Sequence, residues 1–311
     1  MAARTWGIWT GAKLEILAEY LPQFTKAAKY KAKGTTVYLD LFSGEPDNVA
    51  RGTQRKIDGS AKRALACSPP FTRVCLFELP GPAEKLRTAL KAEFPGREPK
   101  VYPGDCNETV DHALAALVRD GLAWAPTFAF IDPYAAEIRW STLEKLAAHK
   151  QRSPYKVELW MLFAHAQIPR GLGVNDEQTY PSFAPKTTQL FGCDDWKIFH
   201  EARKAGRITA EDFRSELLNL MRWRLEQDLK YKSTHALELK NTNGTPIYTM
   251  IFATDNEAGE RIMSWIYENA SRRHPQMWAE AAALRQEMIE EEAGTPGLFP
   301  PPPKPSEPVP Y

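Results

Sequence analysis

Thr36-Val37-Tyr38-Leu39-Asp40-Leu41-Phe42-Ser43-Gly44 is the stretch on which the reading of this chain turns. Residues 36–42 are β-branched or apolar apart from Asp40, the composition of a strand buried on both faces of a parallel sheet. The run stops at Ser43-Gly44, where a turn begins. Just before it, Leu14, Leu17 and Leu21 recur at helical spacing and Phe24 continues the series beyond Pro22. That spacing predicts a leading helix, broken at Pro22, with one apolar stripe to dock on a sheet. Beyond it, runs of the same strand type fall at residues 73–78, 100–102, 127–132 and 157–163.

The segments between these runs have helical periodicity and readable ends. Ser60 is expected to cap a short helix through Leu65; Ala83, Leu86, Leu90 and Phe94 stripe a second; Val110, Leu114, Leu117 and Val118 stripe a third that stops at Gly121. Ser141 with Glu144 reads as a capping box for a fourth. Strands alternating with helices of this length predict βαβ units and a parallel sheet.

After residue 163 the pattern changes. Pro169, Gly171, Gly173, Pro181 and Pro185 mark a loop. Helices are expected near 195–204 and from 211 to about 229, the latter striped by Phe213, Leu217, Leu220, Met221 and Leu225, so that residues 171–232 form a helical insertion. Strands at 235–240 and 247–254 flank Asn243-Gly244, a hairpin turn signal because both residues tolerate positive φ. Helices at 257–269 and 278–292 precede a proline-rich tail, 293–311, expected to be disordered. The chain is thus read as an N-terminal helical extension (1–33), an α/β domain (34–292) holding a mostly parallel seven-stranded sheet with a C-terminal antiparallel hairpin, and that tail.

The 40 Lys and Arg residues nearly balance the 39 Asp and Glu, for a formal charge of +1. A strongly basic domain built for polyanions is therefore excluded as a whole. Residues 1–63 hold eleven basic and six acidic side chains, among them Lys26, Lys29, Lys31, Lys33, Arg51, Arg55, Lys56, Lys62 and Arg63. This stretch reads first as solvated surface and second as a local nucleic-acid contact. Cys67, Cys75, Cys106 and Cys193 lie far apart, and the six histidines show no ligand spacing, so neither a metal site nor a disulfide framework is signalled. With no secretory or membrane-spanning pattern, a cytoplasmic protein without membrane contact is expected.

Polar residues stand at four predicted strand ends, and in open parallel sheets the ligand crevice lies outside the carboxyl ends of the strands. Asp40 ends the first strand, with Gly44 in the turn where a ligand can approach the backbone. Glu78 ends the second and suits the paired hydroxyls of a ribose. Gly104-Asp105-Cys106-Asn107 follows the third and offers an acceptor for an amino group, Asn107 reading equally as the start of the next helix. Asp132-Pro133-Tyr134 follows the fourth and combines an acceptor, a rigid turn and an aromatic face. The four recur at intervals of about thirty residues, one βα unit each. His165, Gln167 and Arg170, just after the fifth strand, are further candidates to line the same crevice, with His165 read first as a neutral buried histidine. No G-x-G-x-x-G follows the first strand, which counts against a dinucleotide oxidoreductase.

This series resembles a class I S-adenosylmethionine-dependent methyltransferase, and more closely the three-Cys-motif partner protein family. The resemblance is carried by Lys13 and Tyr20-Leu21 in the leading helix, Tyr38 to Gly44, Gly59-Ser60 with Ala64-Leu65, Gly104 to Asn107, Ile131 to Tyr134 with Trp140, and Phe252-Ala253-Thr254. It spans roughly residues 5 to 270 and rests on the collinearity of short motifs. It implies a Rossmann-like fold with S-adenosyl-L-methionine as cofactor. Asp40, Phe42 and Gly44 would lie beside the methionine moiety, Glu78 at the ribose, and Asp105, Cys106 and Asn107 at the adenine. Asp132, Pro133 and Tyr134 would form the acceptor site, similar to the D-P-P-Y loop of amino-methyltransferases acting on nucleic-acid bases, and the substrate would be a base or nucleoside. The turn departs from the pattern at Glu45-Pro46, where a further glycine is usual, and the acceptor loop has one proline with Ala135-Ala136 after Tyr134. The family name also implies an alternative, an inactive scaffold for a separate three-Cys-motif protein of iron-sulfur, radical type.

Overall fold

The computed structural model describes residues 5–6, 8–50, 56–150, 153–173, 179–240, 246–270 and 272–273. In chain order the elements are β1 (Thr5–Trp6), α1 (Ile8–Lys31), β2 (Val37–Asp40), β3 (Asp47–Ala50), β4 (Lys56–Asp58), α2 (Ser60–Ala66), β5 (Arg73–Glu78), α3 (Pro80–Glu93), β6 (Lys100–Pro103), α4 (Cys106–Arg119), β7 (Thr127–Ile131), α5 (Trp140–Ala148) and β8 (Glu158–Phe163). Then come α6 (Gln167–Leu172), α7 (Tyr180–Phe191), α8 (Trp196–Lys204), α9 (Ala210–Gln227), β9 (Ser233–Lys240) and β10 (Pro246–Thr254), followed by α10 over residues 257–270. The hairpin signal Asn243-Gly244, Arg51 and Arg55, the expected helix 278–292 and the proline-rich tail lie outside the described residues.

A seven-stranded sheet in the order β6-β5-β2-β7-β8-β10-β9 organises the molecule. The first five of these run parallel, and β10 is antiparallel to both neighbours, β8 and β9. The architecture is Rossmann-like, with helices on both faces. Alternation along β2 explains why both faces must be covered: Val37, Leu39 and Leu41 point into one core with α4, α5 and the insertion helices, while Tyr38 points into a second with α1, α2, α3 and α10. Burying both sides removes a continuous run of apolar surface from water, about 25 cal/mol per Å².

Several local expectations change. The helix α1 continues through Pro22, and the Thr25 hydroxyl donates to the Pro22 carbonyl at 3.2 Å. Leu17, Tyr20 and Leu21 are sealed in the second core, so α1 is part of the main packing rather than an extension to it. The expected loop after residue 163 holds α6 and α7; Pro181 falls in the first turn of α7, where it removes no intrahelical bond, but Pro185 lies inside the helix. Ser60 opens α2 without capping it, Gly59 holding the cap position. At α5 there is no side-chain cap, and Glu144 instead accepts from the Trp140 indole at 3.1 Å. Val118 is exposed rather than part of its helix's buried stripe. A small sheet, β1-β3-β4, was not foreseen. Among the described residues, no helix is long and apolar enough to cross a membrane.

Candidate functional site

Strand order reverses beside β2: the chain steps outward through β5 and β6, then returns to place β7 on the other side of β2. Loops leaving the carboxyl ends of β2 and β7 therefore diverge, and the space between them is where an open α/β sheet accepts ligands. A cleft of about 910 Å³ occupies that place. Its lining includes Phe42, Gly44, Glu78, Asp105, Cys106, Asn107, Asp132, Pro133, Tyr134 and Gln167, so one concavity gathers the site residues expected from the sequence apart from Asp40, His165 and Arg170.

Sheet register explains the exception. Asp40 pairs with Leu76 on one side and Phe130 on the other, so Glu78 and Asp132 each stand two residues farther along their strands, about 7 Å higher. Asp40 lies below the floor of the cleft and is fully buried. Tyr38 donates its hydroxyl to Asp40 Oδ2 at 3.1 Å, while Oδ1 makes no well-formed hydrogen bond among the described residues. Burial pushes the carboxyl up to about 7, against the Ser60 and Tyr38 hydroxyls, which favour its charged form.

The turn after β2 is shaped by glycines at two points. Gly44 adopts φ +62° and donates its N–H to Glu78 Oε2 at 2.7 Å. Gly59 receives the Glu45-Pro46 backbone so closely that a Cβ there would meet the Glu45 carbonyl oxygen at 2.6 Å. Docked on Gly59, Pro46 leads the chain away into β3 and is not part of the cleft wall. The departure from a glycine-rich turn therefore leaves the cleft open.

On the β5–β6 side, Glu78 Oε1 accepts the N–H of Leu79 at 2.8 Å. Each Glu78 oxygen thus takes one backbone N–H and keeps lone-pair capacity toward the cleft. Leu79, 57% exposed, lines the same wall; an apolar residue straight after a strand-terminal acid was its sequence signal, and it was missed. Asp105 caps α4, accepting from the backbone N–H and the side-chain amide of Asn107 at 2.9 and 2.8 Å. Asn107 is a brace: its amide also donates to the Glu137 carbonyl at 2.9 Å, and its oxygen accepts from Arg139 N–H and the Thr142 hydroxyl at 2.9 and 2.8 Å. With those bonds made, Asn107 holds the loop after β7 against α4 and has little left to offer a ligand. The Cys106 thiol is buried and pushed up to about 12, by burial first and Asp105 second, so it stays protonated and contributes surface only.

The β7 side is built by separate parts of the chain. Asp132, just past β7, accepts from the ammonium group of Lys13, which α1 delivers from 119 residues away. Tyr134 stands 75% exposed, its backbone N–H donating to Glu137 Oε2 at 3.0 Å, and Ala135 is held at φ +58°. The lining is completed by Gln167 of α6, Lys186 and Gln189 of α7, and Tyr248 of β10. Gln167 donates to the Tyr248 hydroxyl at 3.2 Å, and its buried Oε1 has no partner among the described residues. The insertion is therefore a wall of the cleft. Polar side chains on surface helices are common in any sequence, which is why Lys186 and Gln189 escaped notice.

His165 is a buried neutral histidine, bonded through Nδ1 to the Thr249 hydroxyl at 2.7 Å and pushed down to about 4 by burial, with Arg214 adding to the shift. Arg170 is exposed outside the cleft. The basic residues of the N-terminal stretch do not share a purpose: Lys13 faces the cleft, Lys62 is buried between Asp47 and Glu93, and Lys26 and Lys29 are exposed on α1. Among the described residues, no three His, Cys, Asp or Glu side chains are grouped as a metal site requires. No protein-family model and no curated protein matches the chain. Among solved structures it is similar to the crystal structure of protein LPL1258 from Legionella pneumophila str. Philadelphia 1, of the family model DUF519, with 14% identity over 83% of this chain and 91% of that one and a TM-score of 0.49.

Proposed function

We propose that this protein is an S-adenosylmethionine-dependent methyltransferase of class I type, acting on an amino group of a nucleic-acid base or nucleoside. One observation carries the reading: a cofactor-suited wall (Gly44, Glu78, Leu79, Asp105) and an acceptor-suited wall (Asp132, Pro133, Tyr134) open into the same cleft at the point where strand order reverses. The insertion of antiparallel β10 between β8 and β9 supports the class I assignment.

The residues present fit the cofactor by their chemistry. The cleft, about 910 Å³, lies in the range of small-molecule sites. Gly44, at φ +62°, leaves its turn without a side chain against the methionine end, and Glu78 offers both oxygens to ribose hydroxyls. Leu79 supplies an apolar face and Asp105 an acceptor for adenine. Asp40 is buried beneath this turn, a change from the direct contact expected of it. When bound, the cofactor supplies an electrophilic methyl group. The protein's own part is to orient a nitrogen lone pair: Asp132 accepts an amino hydrogen while the exposed Tyr134 ring stacks on a base, and this positioning supplies much of the rate gain. A base in a duplex would have to leave the stack to reach Tyr134.

A second reading, the inactive partner of a three-Cys-motif protein, is favoured by one feature, the burial of Asp40 away from the cleft. Calorimetric titration with S-adenosylmethionine and its demethylated product separates the two. Saturable binding, weakened about tenfold or more in Glu78→Ala, supports the enzyme; no binding at millimolar concentration overturns it.

A further inference from the structure

Lys13 occupies an unusual position for a lysine. It lies on α1, only 6% exposed, yet it borders the cleft. A charged ammonium removed from bulk water needs a partner to offset its lost hydration, and Asp132 Oδ2 is that partner. The pair is incomplete on both sides. An ammonium group has three N–H bonds, and among the described residues Asp132 is the one hydrogen-bond acceptor it meets. Asp132 takes the lysine on one oxygen, and its side chain remains 24% exposed. A pin meant only to fasten α1 to the sheet would be sealed and saturated, as Tyr20 and Glu158 are farther along the same helix, where a hydroxyl donates to a buried carboxyl at 2.5 Å.

From this contrast we infer that Lys13 is a specificity-determining residue of the acceptor site. Side by side, Asp132 presents an anionic acceptor and Lys13 a cationic donor to the same space. Their complement is a ring edge carrying an amino group next to an unprotonated ring nitrogen, the heteroaromatic amidine of a 6-aminopurine or 4-aminopyrimidine. Asp132 takes a hydrogen of the amino group while Lys13 donates to the neighbouring ring nitrogen, and the two bonds together fix the base's rotation in its own plane. Charge-assisted bonds of this kind are the stronger class, so losing one is expected to cost about tenfold or more in affinity. This assignment rests on the methyltransferase reading, in which Asp132 faces the acceptor.

Saturation-transfer NMR with nucleosides, on the full chain preloaded with S-adenosylhomocysteine, tests it. The probes are adenosine against 1-deazaadenosine and cytidine against 3-deazacytidine, pairs that differ at the ring nitrogen Lys13 would contact. The wild-type protein is expected to prefer the parent nucleoside in at least one pair by about tenfold, and Lys13→Met to bind parent and deaza forms alike. If Lys13 were only a structural pin, the variant would melt at a lower temperature and keep the preference. Equal binding within both pairs by the wild type overturns the inference without needing any variant, as does a preference unchanged in Lys13→Met. S-adenosylhomocysteine binding, read in the same samples, separates this failure from that of the methyltransferase reading: cofactor product bound but no deaza discrimination rejects Lys13 alone, whereas no product bound rejects both.

Discussion

The two ends of the central sheet use acidic residues in opposite ways. At the carboxyl ends of the parallel strands, Glu78, Asp105 and Asp132 border an open cleft and keep unused acceptor capacity. At the amino end, Glu158 opens β8 fully enclosed, accepting from Tyr20 at 2.5 Å and Thr254 at 3.1 Å, and Asp255 accepts from Lys156 Nζ and from the Lys156 and Lys232 backbone N–H groups at 2.9 to 3.1 Å. Gly259 of α10 packs against the Glu158 carboxyl, where a Cβ would come within 2.5 Å of Oε1. Helix α1 reaches both ends, with Lys13 in the cleft and Tyr20 in the sealed network. A strand-terminal acid is free to take a ligand when its lone pairs are left over, and is a structural joint when they are used up.

That contrast can be broken experimentally. The largest effect is expected from Glu158→Ala, which strands two buried hydroxyls and should lower unfolding free energy in urea by roughly 3 kcal/mol. Glu78→Ala, whose backbone partners border the cleft, should cost less than about 1 kcal/mol in the same assay. Equal losses would erase the distinction between the two ends.

The pH dependence of stability sharpens it next. Burial raises the Glu158 carboxyl from 4.5 to about 7, so between these values the native state holds a proton that the unfolded chain has released. This contribution is complete below the lower value and is lost as pH rises through about 7. Asp40, also raised to about 7, acts in the same direction. In Glu158→Gln the Glu158 contribution is absent. Between about pH 5 and about pH 8 the wild type is therefore expected to lose stability relative to this variant. Parallel pH profiles would show that Glu158 does not titrate with folding.

A smaller test compares glycines. An exposed helical Gly→Ala change ordinarily stabilises by about 1 kcal/mol, but Gly259→Ala should destabilise by about 2 kcal/mol because its methyl group meets the Glu158 carboxyl. Gly44→Ala meets no close atom and carries mainly the strain of positive φ, about 1 kcal/mol. The smallest effect is expected from Tyr134→Ala, within about 0.5 kcal/mol of wild type in thermal unfolding, since the ring is 75% exposed. A larger loss would make Tyr134 a packing residue and remove it from the proposed acceptor wall.

Much of this arrangement was legible in the residues. The strand from Val37 to Asp40 and its four parallel companions announce themselves because apolar and β-branched runs of this length are forced into a doubly covered sheet. Glu78, Asp105 and Asp132 could be placed near one rim because each follows or ends such a strand. The helices α6 and α7 were hidden by their own prolines and glycines, which read as loop until packing of Ile168, Leu172, Leu190 and Phe191 against the sheet compensates for weak helix propensity.

The order of the parallel strands along the chain, their separation by helices, and the residue types at their ends all follow from local composition and period. That Asp40 lies two residues below Glu78 and Asp132, that Asn107 uses its bonds as a brace, and that Lys13 crosses 119 positions to meet Asp132 are outcomes of three-dimensional packing. Register and long-range pairing depend on how whole faces fit together, and no local window of sequence contains that information.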